Sequence, residues 1–311
     1  MKGIKFSLLL ILSILGLRVT FAQQSPMYTQ YMFNTLAVNP AYAGSRNVLS
    51  ATALLRSQWI GMEGAPVTQT LSFDTSLPNK RVGLGIQAFN DKIGITRTTG
   101  VFASYAYRIR MENSTLALGL QGGVSNFRAN YTDVPLDEQG QPDLAFSQNV
   151  NTYLPNFGAG VYYNTDKFYF GISAPHLLNN TLTNNSAVVT NGLIARQYLH
   201  LFITSGYVFD LSEDLKLKPS FLINGVKGAP IKVDLNANLW IGDVFSVGAQ
   251  YGHKSNMSGL LEFQVTPQVR IGYAYDRSIT PLVNFNSGSH EIMLRYEFGF
   301  DDQRIMAPRY F

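Results

Sequence analysis

The stretch IKVDLNANLWI, Ile231 to Ile241, alternates without a break. Ile231, Val233, Leu235, Ala237, Leu239 and Ile241 fall on one side of an extended chain, and Lys232, Asp234, Asn236, Asn238 and Trp240 on the other. A period of two is the signature of a strand whose faces meet different environments. Trp240 is the one apolar residue on the polar side. The same alternation recurs in Val67–Leu77, where Thr68, Thr70, Ser72 and Asp74 oppose Val67, Leu71 and Phe73, and in Val82–Asn90, where Val82, Leu84, Ile86 and Ala88 oppose glycines and Gln87. With Val48–Arg56 at the front and His290–Phe298 at the back, it predicts about 14 strands.

Period alone does not separate a soluble β-sandwich from a membrane barrel. Three further features point to lipid. Many segments run about ten residues, the length of a tilted bilayer crossing. Aromatic residues such as Tyr105, Tyr107, Tyr162, Tyr163, Phe168, Phe170, Tyr207, Phe209, Tyr273, Tyr275, Tyr296 and Phe298 gather mostly towards segment ends, where interfacial girdles form. Every second connection is a short polar turn (Pro78–Lys80, Glu112-Asn113, Asn164–Lys167, Asp210–Asp214, Gly242-Asp243, Thr266-Pro267), while the others include long loops at Asn130–Tyr153, Leu178–Ala195 and Arg277–Ser287. Short periplasmic turns and long external loops are the outer-membrane pattern. The expected fold is all-β: a transmembrane outer-membrane β-barrel of about 14 antiparallel strands, with an N-terminal periplasmic or plug segment.

Composition agrees with this address. Of 311 residues, 46% are hydrophobic but only 14% charged, where soluble domains carry about a quarter charged residues. Lys2 and Lys5, the apolar run Phe6–Leu17 and the small-residue site Thr20-Phe21-Ala22 read as a signal peptide cleaved before Gln23. The expected organisation is therefore a signal peptide over 1–22, an N-terminal segment over 23–46, the barrel over 47–298 and a periplasmic tail over 299–311. The absence of cysteine excludes disulfides, thiolate metal sites, a cysteine nucleophile and a lipoprotein anchor. Removing Lys2, Lys5 and Arg18 leaves 21 basic against 20 acidic residues, so no nucleic-acid partner is expected.

Chemistry is sparse. The inward-facing ionisable residues Asp74, Arg108, Arg110, Lys232, Asp234, Glu262, Arg270 and Asp276 fit a hydrated or internally paired lumen. The histidines, His176, His200, His253 and His290, show no ligand spacing. Ser289 and His290 are neighbours, but adjacent strand residues face opposite sides and cannot act together. The inner-face glycines lack a P-loop lysine and read as relief of crowding. No cofactor, metal or catalytic residue is expected.

One long segment fits no strand: QYMFNTLAVNPAYAGS, Gln30 to Ser45. Apolar and aromatic residues fill it, Asn39-Pro40 interrupts it and Gly44-Ser45 closes it; Pro40 bars a continuous helix. Short turns around a kink are expected, either as an arm offered to a partner on the periplasmic side or as a plug in the barrel mouth.

The segment, with Ser25-Pro26-Met27 before it, resembles the N-terminal signature of the PorP/SprF family of Bacteroidetes outer-membrane proteins. So do Arg56-Ser57-Gln58-Trp59, Gly64-Ala65-Pro66-Val67-Thr68-Gln69-Thr70, Ser173-Ala174-Pro175-His176, Gly288-Ser289-His290-Glu291 and the terminal Pro308-Arg309-Tyr310-Phe311. The resemblance implies a component or cargo-specific accessory of the type IX secretion system, linked to adhesin export and gliding motility, and no enzymatic activity. Its implied partners are the periplasmic ring and lipoprotein components, secreted cargo with a C-terminal sorting domain, and outer-membrane lipid. The candidate partner-binding or plug residues are Tyr31, Met32, Phe33, Asn39, Pro40, Tyr42, Gly44, Arg56, Gln58, Trp59, Pro308, Arg309, Tyr310 and Phe311. The alternative function is a porin or hydrophobic-solute transporter.

Overall fold

The structure, a computed structural model, describes residues 28–133, 148–182 and 196–299. The signal peptide and the candidate tail residues Pro308, Arg309, Tyr310 and Phe311 lie outside the described residues.

The described strands are β1 (Leu49–Ser57), β2 (Val67–Ser76), β3 (Val82–Ile93), β4 (Thr96–Arg110), β5 (Thr115–Ala129), β6 (Val150–Asn164) and β7 (Phe168–Ala174). They continue as β8 (His200–Tyr207, then Phe209–Asp210 beyond Val208), β9 (Leu215–Val226), β10 (Lys232–Ile241), β11 (Phe245–Gly252), β12 (Asn256–Gln264), β13 (Val269–Ser278) and β14 (Ser289–Phe298). The two pieces of β8 pair with the same neighbour, so the fifteen ladder segments make fourteen strands. Each strand pairs antiparallel with the next, and β14 returns to β1 over Leu49↔Phe298 to Ser57↔His290, closing the barrel.

The side chains decide between the two readings that a period of two leaves open. On β10, Asp234, Asn236, Asn238 and Trp240 are buried in the interior while Leu235 and Ile241 are exposed on the outside. On β2, Thr68, Thr70, Ser72 and Asp74 are buried and Leu71 and Phe73 exposed. Apolar outside and polar inside inverts the soluble pattern and is the arrangement of a lipid-embedded barrel. Leu120, 63% exposed, is among the most exposed of the belt residues.

The connections alternate as expected. One rim carries the short turns at 77–81, 111–114, 165–167, 211–214, 242–244 and 265–268. The other carries the long loops at 58–66, 130–149, 175–199 and 279–288, together with tight hairpins at 94–95, 227–231 and 253–255. By the outer-membrane rule the short-turn rim is periplasmic and the long-loop rim external.

Two expectations are corrected. Tyr162 and Tyr163 cannot both join an outer girdle because they are adjacent on β6; Tyr162 is buried in the lumen, beside Tyr42 and Tyr169 at ring-centroid distances of 5.4 and 6.0 Å. The other correction concerns length: β4, β5 and β6 each run 15 residues, well beyond the crossing of about ten residues expected from the alternation. The outward positions of their added ends at the long-loop rim carry Arg97, Thr99, Asn126, Arg128 and Asn151 in place of a continuous apolar face, with Tyr153 the exposed aromatic among them. The ladder continues where the lipid belt stops, and an apolar period cannot register that.

Candidate functional site: the lumen and its N-terminal segment

Residues 28–45 run through the lumen as three successive 3₁₀ turns, Tyr31–Phe33, Thr35–Ala37 and Pro40–Tyr42. Asn39 caps the third turn by accepting from the Ala41 amide at 3.0 Å, with Pro40 in the first helical position where its missing N–H costs nothing. The kink predicted at Asn39-Pro40 is thus a turn start, and the same Asn39 donates through Nδ2 to the Val161 carbonyl of the wall at 3.0 Å.

At the long-loop rim the segment is held by carboxylates. Glu291, fully buried, accepts from the Thr29 amide at 2.9 Å and the Gln30 amide at 2.7 Å. The Thr29 hydroxyl donates to Asp276 at 2.6 Å, and Arg56 neutralises the pair, at 2.6 Å from Asp276 and 3.0 Å from Glu291. A buried cation with two buried anions is tolerated only when the remaining oxygens are hydrogen-bonded. The backbone and hydroxyl of the N-terminal segment supply those bonds.

At the short-turn rim the segment is gripped a second time. The Gly44 amide donates to Asp74 at 3.0 Å, Arg108 donates to the carbonyls of Gly44 and Ser45, and Arg46 pairs with Glu297 at 2.5 Å. Between the two grips lie two apolar clusters. Tyr31, Met32, Phe33 and Val38 share one with Leu54, Phe202, Leu222, Trp240 and Met293; Leu36, Ala41 and Tyr42 share the other with Ala106, Ala117, Tyr162 and Tyr169. Trp240, the exception on an otherwise polar face, belongs to the first cluster and is fully buried, with the Arg270 guanidinium 5.0 Å from its ring centroid.

The inner-face glycines mark the track of this segment. A Cβ on Gly83 would overlap the Ala43 carbonyl, one on Gly119 the backbone of Ala41, and one on Gly160 the Asn39 amide. Gly119→Val is therefore expected to keep the barrel but unseat the third turn. Overpacking of this kind costs about 1–3 kcal/mol, enough to raise the unseated population roughly tenfold. The chain lacks cysteine, so a Thr35→Cys probe, buried in the native protein, should label about tenfold faster with a maleimide in the Gly119→Val background. Equal labelling rates would remove the glycine track from the account.

The structure thus brings Tyr31, Met32, Phe33, Asn39, Pro40, Tyr42, Gly44 and Arg56 together in the lumen. Gln58 and Trp59 stand apart in the β1–β2 loop, where the Gln58 amide donates to the Pro66 carbonyl at 2.9 Å and the Trp59 amide to the Ser289 hydroxyl at 3.1 Å. Of the two courses open to the segment, residues 28–45 follow the lumenal one: the first described residues lie beside Arg56 and Glu291 at the long-loop rim, and the chain descends to the short-turn rim before entering β1, so among the described residues of the segment none projects below the barrel. Sequence reasoning missed Glu291, Asp74 and Glu297 as its anchors; inward-facing acidic residues near strand ends were the available signal.

Two other groups fall outside this cluster. Ser289 is buried while His290 accompanies Tyr273 and Tyr275 on the outer face, so the pair is split as strand geometry requires. His176 is brought near His200 despite their separation in sequence. Burial, and secondarily His200, lower His176 to about 4, keeping it neutral near pH 7.

The family model described as type IX secretion system membrane protein PorP/SprF matches residues 20–296. No curated protein matches the chain in sequence. Among solved structures, the chain is similar to the outer membrane protein Omp33 of Acinetobacter baumannii at 10% identity, covering 81% of this chain and 99% of that one with a TM-score of 0.46. It is also similar to the CymD monoaromatic hydrocarbon channel at 14% identity, covering 89% and 95% with a TM-score of 0.49. A TodX deltaS2S3 mutant monoaromatic hydrocarbon channel is similar at 9% identity, covering 86% and 94% with a TM-score of 0.47.

Proposed function

The chain belongs to the PorP/SprF family of type IX secretion system membrane proteins, and from that premise we propose that it works as a closed docking barrel of the outer membrane. In this reading the barrel does not conduct its cargo. It anchors periplasmic ring and lipoprotein components at its short-turn rim and its tail, residues 299–311, and it receives secreted cargo with a C-terminal sorting domain at its long loops. It serves either as a general component or as an accessory dedicated to one cargo, such as an adhesin of gliding motility.

The observation that carries the proposal is the occupied lumen. Residues 28–45 are held at both rims by buried charge and packed between them against inward apolar residues. An outer-membrane protein whose lumen is filled by its own chain is better suited to hold partners on its rims than to pass solutes. The arm's lumenal position moves the proposed periplasmic contacts from the arm to the turns and the tail.

Crosslinking followed by pull-down of the full-length protein from native membranes tests the proposal. The expected outcome is enrichment of ring or lipoprotein components together with exported proteins bearing a C-terminal sorting domain. Truncation after Gly299 should remove the ring components and leave the cargo. Recovery of neither class in the full-length sample overturns the reading.

A further inference from the structure

The outer wall of β2 to β5 departs from the rest of the lipid-facing surface near the long-loop rim. Lys92, Arg97 and Arg128 are exposed on three adjacent strands and are direct register partners, Lys92↔Arg97 and Arg97↔Arg128. Neighbouring strands are about 4.8 Å apart, so three like charges stand side by side. Like charges directly opposite one another are destabilising. Among the described residues none of the three makes an ion pair.

One step down each strand toward the belt lies a second transverse row, Gln69, Asn90, Thr99 and Asn126, again in register. These side chains are neutral donors and acceptors: Asn90 donates to Gln69 at 3.4 Å and Thr99 to Asn90 at 3.1 Å, while Asn126 donates to Asn151 at 2.7 Å and accepts from Arg128 Nε at 2.7 Å, a bond that leaves the Arg128 charge without an anion. Below them the wall turns apolar and sinks into a hollow of about 520 Å³. It is a shallow hollow open to the bilayer: the small side chains of Ala53 and Ala88 form its floor, Leu55, Leu71, Ile292 and Leu294 border it, and its upper edge is Gln69, Asn90 and Thr99. Cation row, amide row and apolar hollow therefore stack in that order from rim to belt.

We propose that this wall binds a phosphate-bearing glycolipid of the outer leaflet, with an acyl chain in the hollow, the sugar hydroxyls and amides on the Gln69–Asn126 row, and the phosphate on Lys92, Arg97 and Arg128. The order of the three rows is the order of the parts in such a lipid. An anionic headgroup relieves the like-charge row by charge-assisted hydrogen bonds, and a desolvated chain gains contact in a wall depression that straight lipid tails would otherwise fill poorly. The site is independent of the docking proposal, since it faces the bilayer.

Native mass spectrometry of the detergent-purified full-length protein with bisphosphorylated lipid A and its dephosphorylated counterpart tests the site. The wild-type protein should retain the phosphorylated lipid preferentially. Lys92→Gln/Arg97→Gln/Arg128→Gln should weaken that retention roughly a hundredfold, at about one membrane-surface charge contact per residue, while the dephosphorylated lipid is unaffected. Ala88→Leu, which fills the hollow and leaves the cations in place, should weaken both lipids together. Heat-modifiable gel migration establishes that each variant is folded. Equal retention of phosphorylated lipid by the folded triple variant, or equal retention of both lipids by the wild type, overturns the proposal. Displacement of the lipid by millimolar inorganic phosphate alone, with no effect of Ala88→Leu, would reduce the site to a simple anion contact and equally overturn it.

Discussion

Deleting residues 28–45 while retaining all fourteen strands should convert a barrel without steady conductance into a stable open pore in a planar bilayer. Without the segment, the interior is left with the hydroxyl, amide and charged side chains of its wall, including Ser50, Thr52, Thr68, Thr70, Asp74, Asn236 and Asn238. Such a lining hydrates readily. Barrels of 16 to 18 strands leave an aqueous channel when nothing fills them, and fourteen strands approach that width. The wild-type protein should show no comparable steady conductance, because the segment lies in the lumen and packs against its wall in two apolar clusters between the two grips. The strand ladder does not depend on the segment for its hydrogen bonds, so the deletion protein should still migrate as a folded barrel before boiling. A wild-type protein that conducts as well as the deletion would favour the transporter alternative and remove the closed lumen from the proposed function.

Glu291→Ala carries the second large effect. It leaves the Thr29 and Gln30 amides without their acceptor and Arg56 with Asp276 alone. Breaking a buried ion pair by removing one partner costs about 3–5 kcal/mol, and unsatisfied buried amides add to that. The temperature at which the folded band disappears on a semi-native gel should fall by roughly 10 °C, at a few degrees per kcal/mol for a chain of this size. The loss should be concentrated at the long-loop end of the segment. A Tyr28→Cys probe, buried in the native protein, should therefore become reactive in Glu291→Ala, while Arg46 keeps Glu297 at the other rim. A Glu291→Ala protein with unchanged melting and an unreactive probe would mean that the carboxylate cluster does not secure the segment.

The legible part of this protein was its wall. The alternation of Ile231–Ile241 and Val67–Leu77 named the inward and outward residues of β10 and β2, because the direction of a strand side chain follows from its parity. The alternation failed at Tyr162, where two adjacent aromatic residues both looked like girdle, and along β4 to β6, where the ladder outlasts the lipid. It also left Trp240 unexplained. That residue breaks the polar face because it belongs to the buried apolar cluster that Met32, Phe33 and Val38 form with the wall.

Fold, strand count and rim asymmetry were therefore determined by the sequence itself, since a two-residue period, turn chemistry and loop length are local properties that need no partner. The path of residues 28–45 was decided only in three dimensions. Its extended, proline-kinked character was readable, but its direction depends on Glu291 and Asp276, more than 240 residues away along the chain. The alignment of Lys92, Arg97 and Arg128 likewise exists only once the register of three strands is set. Contacts of that kind arise from closing the sheet on itself. No window of sequence contains both halves of them.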